Sequence, residues 1–323
     1  MCALALSSRY DEADDNDNET ENDDEEQQED TDGEDGPLNV RGEDSGHSIT
    51  KAEALVALAD LYRFGQGVTK NESEAYQLFE QAADLDHPYA QFVIGEWMEH
   101  GNMVVQKNEK EAANYYSHAA NAGHAEAQCN LACMYLDGRG VVQDVTHAVE
   151  LLEKSSKQGH AEAQYQLGRL YYDGTGLDQD KLKAFDWYKT AGGQDHDKAQ
   201  TKVGQMLEIG EGCDKDAKEA EEWYEKAAES DNPTALCNLG VMYERRNEAE
   251  KAVEMYSKAA TLGHHAAQYN LGICYKDGFG VESDELKAAQ WLAKAAAVQS
   301  PVVRTLAPTY EEPPTKKDKC MIC

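Results

Sequence analysis

The sequence predicts an all-α fold, a right-handed α/α superhelical solenoid of seven helix-pair repeats with disordered N- and C-terminal tails. Three observations predict it. A self-similar block of about 36 residues recurs between Ala52 and Ser300, and a period in that range marks units that bury their cores on one another. Small residues recur within each block at helical spacing. Turn and capping residues sit at fixed offsets in nearly every block, and no alternating strand pattern interrupts them.

The N-terminal arm, residues 1–49, is set apart by charge. The chain carries 62 acidic and 30 basic residues, a net charge of −32, and half of that excess lies in the first fifty residues, where only Arg9 and Arg41 oppose it. The run from Asp11 to Asp35 has almost no large apolar side chains, so it cannot bury enough surface to offset chain entropy and is predicted to be disordered. Ala3-Leu4-Ala5-Leu6 is too short for a signal-peptide core. Thr50 and Glu53 form a T-x-x-E capping box that opens the first helix and the solenoid of residues 50–300.

The copies run 52–87, 88–124, 125–160, 161–196, 197–232, 233–264 and 265–300. Their third position is always alanine (Ala54, Ala90, Ala127, Ala163, Ala199, Ala235, Ala267). The seventh is apolar, and the eighth is glycine or alanine (Ala59, Gly95, Ala132, Gly168, Gly204, Gly240, Gly272). These positions fall on one helical stripe. A glycine inside a helix costs roughly 1 kcal/mol against alanine, so its recurrence predicts the close approach of a neighbouring helix.

Each first helix ends in a glycine turn such as Gly138-Arg139-Gly140-Val141 or Gly278-Phe279-Gly280-Val281. Asn71, Asn108, Asp144, Asp180, Asp216 and Asp284 then stand where the second helix needs its N-cap. That helix packs through pairs such as Trp187-Tyr188 and Trp223-Tyr224. The sixth copy departs from the rest, because Met242-Tyr243-Glu244-Arg245-Arg246-Asn247 has no glycine turn. A change of superhelix curvature is expected there.

The tail, residues 301–323, contains Pro301, Pro308, Pro313 and Pro314 and cannot continue the last helix. Val302, Val303, Leu306 and Tyr310 are predicted to cover the end of the solenoid. The final Cys320-Met321-Ile322-Cys323 fits a C-a-a-X lipidation box, with Cys320 the residue expected to be prenylated. Lys316, Lys317 and Lys319 precede it and would contact an anionic membrane surface. One lipid gives only marginal membrane binding, so a second attachment is expected from a membrane partner held by the solenoid.

The G-x-G-V turn, the W-Y pair and the A-A-x-x-G-H ending resemble Sel1-like repeats, relatives of the tetratricopeptide repeat, over about three quarters of the chain. This resemblance implies a protein-interaction scaffold. Together with the C-terminal box, the architecture is similar to fungal chitin synthase activators, which implies a lipid-tethered adaptor regulating a membrane-associated enzyme or signalling complex. A soluble cytosolic scaffold or co-chaperone without a lipid is the alternative.

In helix-pair solenoids the first helices line the concave face. Position 6 of the last five copies then presents Asn130, Gln166, Lys202, Asn238 and Asn270, a row able to hydrogen-bond an extended peptide. Position 5 adds Phe92, Tyr165 and Tyr269, and position 9 adds Arg169 and Gln205. The histidines that end the repeats (His87, His124, His160, His196, His264) are predicted to hydrogen-bond turn carbonyls and not a metal.

No catalytic constellation, cofactor motif or metal-ligand spacing is found, so no enzyme is predicted. The eight cysteines show no pair that recurs with the repeat, which predicts reduced thiols and a cytoplasmic location, peripheral to the membrane if Cys320 is prenylated. No nucleic-acid partner is expected, because no Lys/Arg cluster occurs, and no segment is long enough to span a bilayer.

Overall fold

A computed structural model of the chain describes residues 49–297. The acidic arm, the expected end cover from Val302 to Tyr310, Lys316, Lys317, Lys319 and Cys320 lie outside the described residues. The described residues from Ala52 onward form one unit. Among the described residues there are fourteen helices and no strand: α1 (Lys51–Phe64), α2 (Glu72–Ala83), α3 (Pro88–His100), α4 (Glu109–Asn121), α5 (Ala125–Asp137), α6 (Val145–Lys157), α7 (Ala161–Asp173), α8 (Lys181–Gly192), α9 (Asp197–Ile209), α10 (Ala217–Glu229), α11 (Pro233–Arg245), α12 (Ala249–Thr261), α13 (His265–Asp277) and α14 (Glu285–Ala296). From α2 to α14 each helix packs on the one that follows it, so the core runs through a stack of repeats as in a solenoid.

The eighth-position glycines make room for a ring, not for a bare helix backbone. A Cβ added to Gly168 would stand 2.7 Å from Tyr188 Cδ1, and one on Gly95 or Gly204 would meet Tyr116 or Tyr224 as closely. These tyrosines belong to the second helix of the same repeat and are fully buried, as is Tyr256 opposite Gly240. Where the eighth residue is alanine, the residue at the tyrosine position is smaller or lacks a hydroxyl: Phe79 in the repeat of Ala59, and Leu152 in that of Ala132. Side-chain volume is therefore matched in these six helix pairs, while in the seventh Gly272 faces Leu292, whose Cγ an added Cβ would meet at 2.8 Å.

The turn glycines have two different duties. Gly138 caps α5 in the left-handed region at φ 69°, where a Cβ would be strained but not crowded. Gly140, at φ 69°, lies against the backbone carbonyl of Glu109 at the start of the preceding repeat's second helix, so any Cβ there would collide with main chain. The repeat-to-repeat distance is set by that contact.

Capping follows the sequence for the second helices. Asn71, Asn108, Asp144, Asp180, Asp216 and Asp284 each accept from a backbone N–H of the first turn. The histidines act differently from the expectation. His87, His124, His160, His196 and His264 are N-caps of the first helices, and each Nδ1 accepts from the backbone N–H of the alanine three residues on. Nδ1 must be unprotonated to do so. Asn232 takes this place in the sixth copy, accepting from Thr234 and Ala235 N–H.

The glutamine after each alanine pair is a second brace. Gln91, Gln128, Gln164, Gln200 and Gln268 are buried, and each donates from Nε2 to a carbonyl at the end of the preceding repeat's second helix, at 3.0 to 3.4 Å. A helix end leaves its last carbonyls without intrahelical donors, and this side chain supplies one. Leu236 replaces it in the sixth copy. Cys129, Cys213 and Cys274 are free thiols, and burial pushes Cys274 up to about 12.

Candidate interaction surface

The expected binding residues divide into internal braces and open groups. Phe92 stacks on His124 with ring centroids 4.7 Å apart, and Tyr165 stacks on His196 at 4.8 Å. Phe92 and Tyr165 thus pack on the histidine that caps the next repeat. Tyr269 is half-buried in the last repeat.

Position 6 does not form a continuous exposed row. Gln166, Asn238 and Asn270 are buried, while Asn130 and Lys202 are half-buried. This position lies at the seam where the tyrosine of the preceding repeat ends: Tyr116 neighbours Asn130, and Tyr224 neighbours Asn238. Gln166 donates to Glu162 Oε1 at 2.5 Å. Arg169, at position 9, is exposed.

The structure brings Lys202, Gln205 and Asn238 together. With Tyr172, Met206, Ile209, Lys215 and Tyr224 they line a cavity of about 360 Å³ at the junction of the fifth and sixth repeats. Its carboxylates are committed to protein partners. Glu208 accepts from the Tyr224 hydroxyl at 3.2 Å and pairs with Arg245, and Glu211 accepts from the Tyr172 hydroxyl at 2.6 Å and pairs with Lys181 at 3.2 Å. The Tyr172 hydrogen bond, reinforced by Lys181, holds the Glu211 carboxyl below the usual carboxylate range. Burial, with Glu208 alongside, pushes the Tyr224 hydroxyl up and keeps it a donor. Lys202 and Lys215 form no ion pair with a described carboxylate.

Eight of the lining residues escaped the sequence reading, among them Arg245, Ile209 and Lys215. Arg245 stands at position 13, where Asp137, Asp173 and Asp277 occupy the equivalent place, and Ile209, 64% exposed, replaces an aspartate there as well. Lys215 comes from the turn. The missing glycine turn of the sixth copy was the available signal, because without it α11 ends in Arg245-Arg246.

Among the described residues, no group of three or more His, Cys, Asp or Glu side chains is placed to hold a metal ion, and no helix is long and apolar enough to cross a membrane.

The Sel1 repeat pattern matches residues 52–87, 88–124, 125–160, 161–196, 197–232, 233–264 and 265–298. The chain belongs to the Sel1 repeat family. Members of this family are generally protein-interaction scaffolds. A protective antigen of uropathogenic Escherichia coli with an SLR fold is similar to it, at 34% identity and a TM-score of 0.70 over 76% of this chain and 53% of the other. The chain thus spans about half the length of that Sel1-like relative. A Sel1 repeat protein from Oxalobacter formigenes is similar at 30% identity and a TM-score of 0.68, covering 75% of this chain and 99% of the other. No curated protein matches the chain.

Proposed function

We propose that this Sel1 repeat protein is an adaptor that holds a partner polypeptide on its first helices while prenylated Cys320 tethers it to a membrane, where the partner is a membrane-associated enzyme or signalling complex. One observation carries the binding half. Each repeat is braced only by its neighbours, and the polar positions left open on consecutive first helices, Arg169, Lys202 and Gln205, are not consumed by that bracing. The C-a-a-X sequence of Cys320 to Cys323 supports the tether, and Lys316, Lys317 and Lys319 add about 1 kcal/mol each at an anionic leaflet. Sel1 repeats generally serve as protein-interaction scaffolds, which supports the adaptor reading.

Cell fractionation tests the tether. Cys320→Ser is expected to move the chain wholly into the soluble fraction, and an intact mass showing an unmodified C-terminus in wild type would reject it. Proximity labelling tests the binding surface. Arg169→Glu combined with Lys198→Glu, the latter exposed at the second position of α9, is expected to lose neighbours that the wild type labels; an identical neighbour set would reject this surface.

A further inference from the structure

We infer that the cavity between the end of α2 and one stripe of α4 takes the guanidinium of an arginine side chain of the partner, with Gln91 Oε1 accepting from it and Asp84, Asp86 and Glu111 pairing with its charge. The inference deepens the scaffold reading and rests on it. It puts one contact of the partner among second helices, and none of the open first-helix groups lines this cavity.

The first argument is an unmet acceptor. Gln91 is 5% exposed and lines a cavity of about 390 Å³ together with Asp84, Asp86, Glu111, Tyr115 and His118. Its Nε2 donates to the Ala83 carbonyl at 3.4 Å, and its Oε1 has no partner among the described residues. In the third and fourth copies the same oxygen accepts from the glutamine that follows the second helix: Gln128 from Gln158 at 2.8 Å, and Gln164 from Gln194 at 2.7 Å. The second copy has Ala122 in that place, so the donor is missing and space opens instead. Gln200 and Gln268 also lack this donor, but their Oε1 atoms are sealed from solvent, whereas that of Gln91 meets the cavity. An amide oxygen held in such a place calls for a donor.

Charge gives the second argument. No lysine or arginine lines the cavity, and none of Asp84, Asp86 and Glu111 pairs with a described cation. The carboxylates gather around Tyr115, whose hydroxyl is pushed up by burial with Glu80, Asp84 and Glu111 alongside. Exposed carboxylates are ordinary in a chain of net charge −32; carboxylates grouped about an enclosed amide oxygen and an aromatic ring are not. A guanidinium answers all of these groups at once. Its N–H donors lie in one plane, its charge pairs with carboxylates, and its flat face stacks on a tyrosine ring. An ammonium offers no such face.

Departure from the repeat is the third. Glu111 stands three residues after the N-cap of α4, where Lys183, Lys251 and Lys287 stand in the fourth, sixth and seventh copies. His118 stands where Lys154, Lys226, Lys258 and Lys294 do. Both lie on the stripe of α4 that walls the cavity, with Asn114 and Tyr115 between them. The second copy has thus lost two lysines and one glutamine donor at a single place. Local rules tend to be broken at functional sites. A volume of about 390 Å³ lies near the lower end of ligand pockets, which suits one long side chain.

The test titrates the full chain with N-acetyl-arginine methylamide up to about 10 mM, followed by saturation-transfer NMR. Saturable binding with a Kd on the order of 1 mM is expected, at least about tenfold tighter than for the neutral citrulline analogue. Asp84→Asn combined with Glu111→Gln, both exposed, should weaken binding at least about tenfold. Ala122→Gln returns to Gln91 the donor of the third and fourth copies, and should abolish binding without lowering the melting temperature. Binding kept in Ala122→Gln, equal binding of the citrulline analogue, or no saturation by about 10 mM, as for a cavity that holds only water, would overturn the inference. Free L-arginine tests the other source of the same group: tighter binding than the blocked residue would mark a small-molecule site and overturn the assignment to a partner's side chain. The scaffold reading fails separately, through the Arg169→Glu and Lys198→Glu variant, whose residues lie outside this cavity.

Discussion

A histidine that ends each repeat reads in sequence as a junction residue, and the structure gives it a specific protonation state. His124 and His264 cap α5 and α13 through Nδ1, and burial pushes both below the usual imidazole value. Glu126 opposes the shift at His124, while His160 and His87 add to it. A depressed folded value means that the folded chain binds fewer protons than the unfolded chain between the two values. The stabilisation is then fully present above about pH 6.5 and is lost as pH falls through the folded values. Asparagine performs the same capping at Asn232 without titrating in this range. The His124→Asn and His264→Asn double variant is expected to keep the wild-type melting temperature near pH 7.5 and to lose less of it on going to about pH 5. Parallel pH profiles for the two proteins would reject this account.

Within a helix pair, the determining contact is glycine against tyrosine. Gly168 and Tyr188 meet so closely that a single methyl group must displace a fully buried ring. Gly168→Ala is expected to cost about 1–3 kcal/mol by overpacking. Tyr188→Leu alone leaves a void and also destabilises. Their combination reproduces the Ala132 and Leu152 arrangement of the third repeat, so the double variant should be more stable than the sum of the two losses implies. Urea unfolding of the four proteins measures the coupling; additive losses would count against volume matching. The eighth-position glycine was legible in the sequence as a close approach. What approached it was not, because the tyrosine arrives from another helix of the same repeat, about 20 residues later.

Across the whole stack, cohesion depends on polar braces between repeats as well as on the apolar core. Gln128 donates to Ala120 carbonyl at 3.0 Å and accepts from Gln158 at 2.8 Å, joining the second and third repeats. Gln128→Leu removes both bonds, but Gln158 is exposed and the Ala120 carbonyl keeps the Gly123 N–H at 3.0 Å, so the expected loss is about 0.5–1.5 kcal/mol. In a stack of nearest-neighbour units this weakens coupling as well as stability, so the unfolding transition is expected to broaden, with a lower denaturant slope. A shifted midpoint at unchanged slope would show that the brace stabilises without coupling. The junction of the fifth and sixth repeats has Leu236 in place of this glutamine, and it is braced by Asn232 Nδ2 donating to Asp197 at 2.7 Å. That same junction holds the cavity, where Arg245 and Lys202 stand outside the repeat pattern.

Sequence alone determined the period, the helix pairs, the Asn and Asp caps and the glycine turns, because each is a local pattern enforced by backbone hydrogen bonding within a few residues. It also marked the sixth copy as irregular. Only tertiary structure decided which polar side chains are braces and which stand open, since a brace finds its partner in the preceding repeat, as Gln128 does on Ala120 and Gln200 on Gly192. The same consensus position therefore holds a buried Asn238 and a half-buried Lys202. Burial at such a site is set by the neighbouring repeat, and no reading of one repeat contains it.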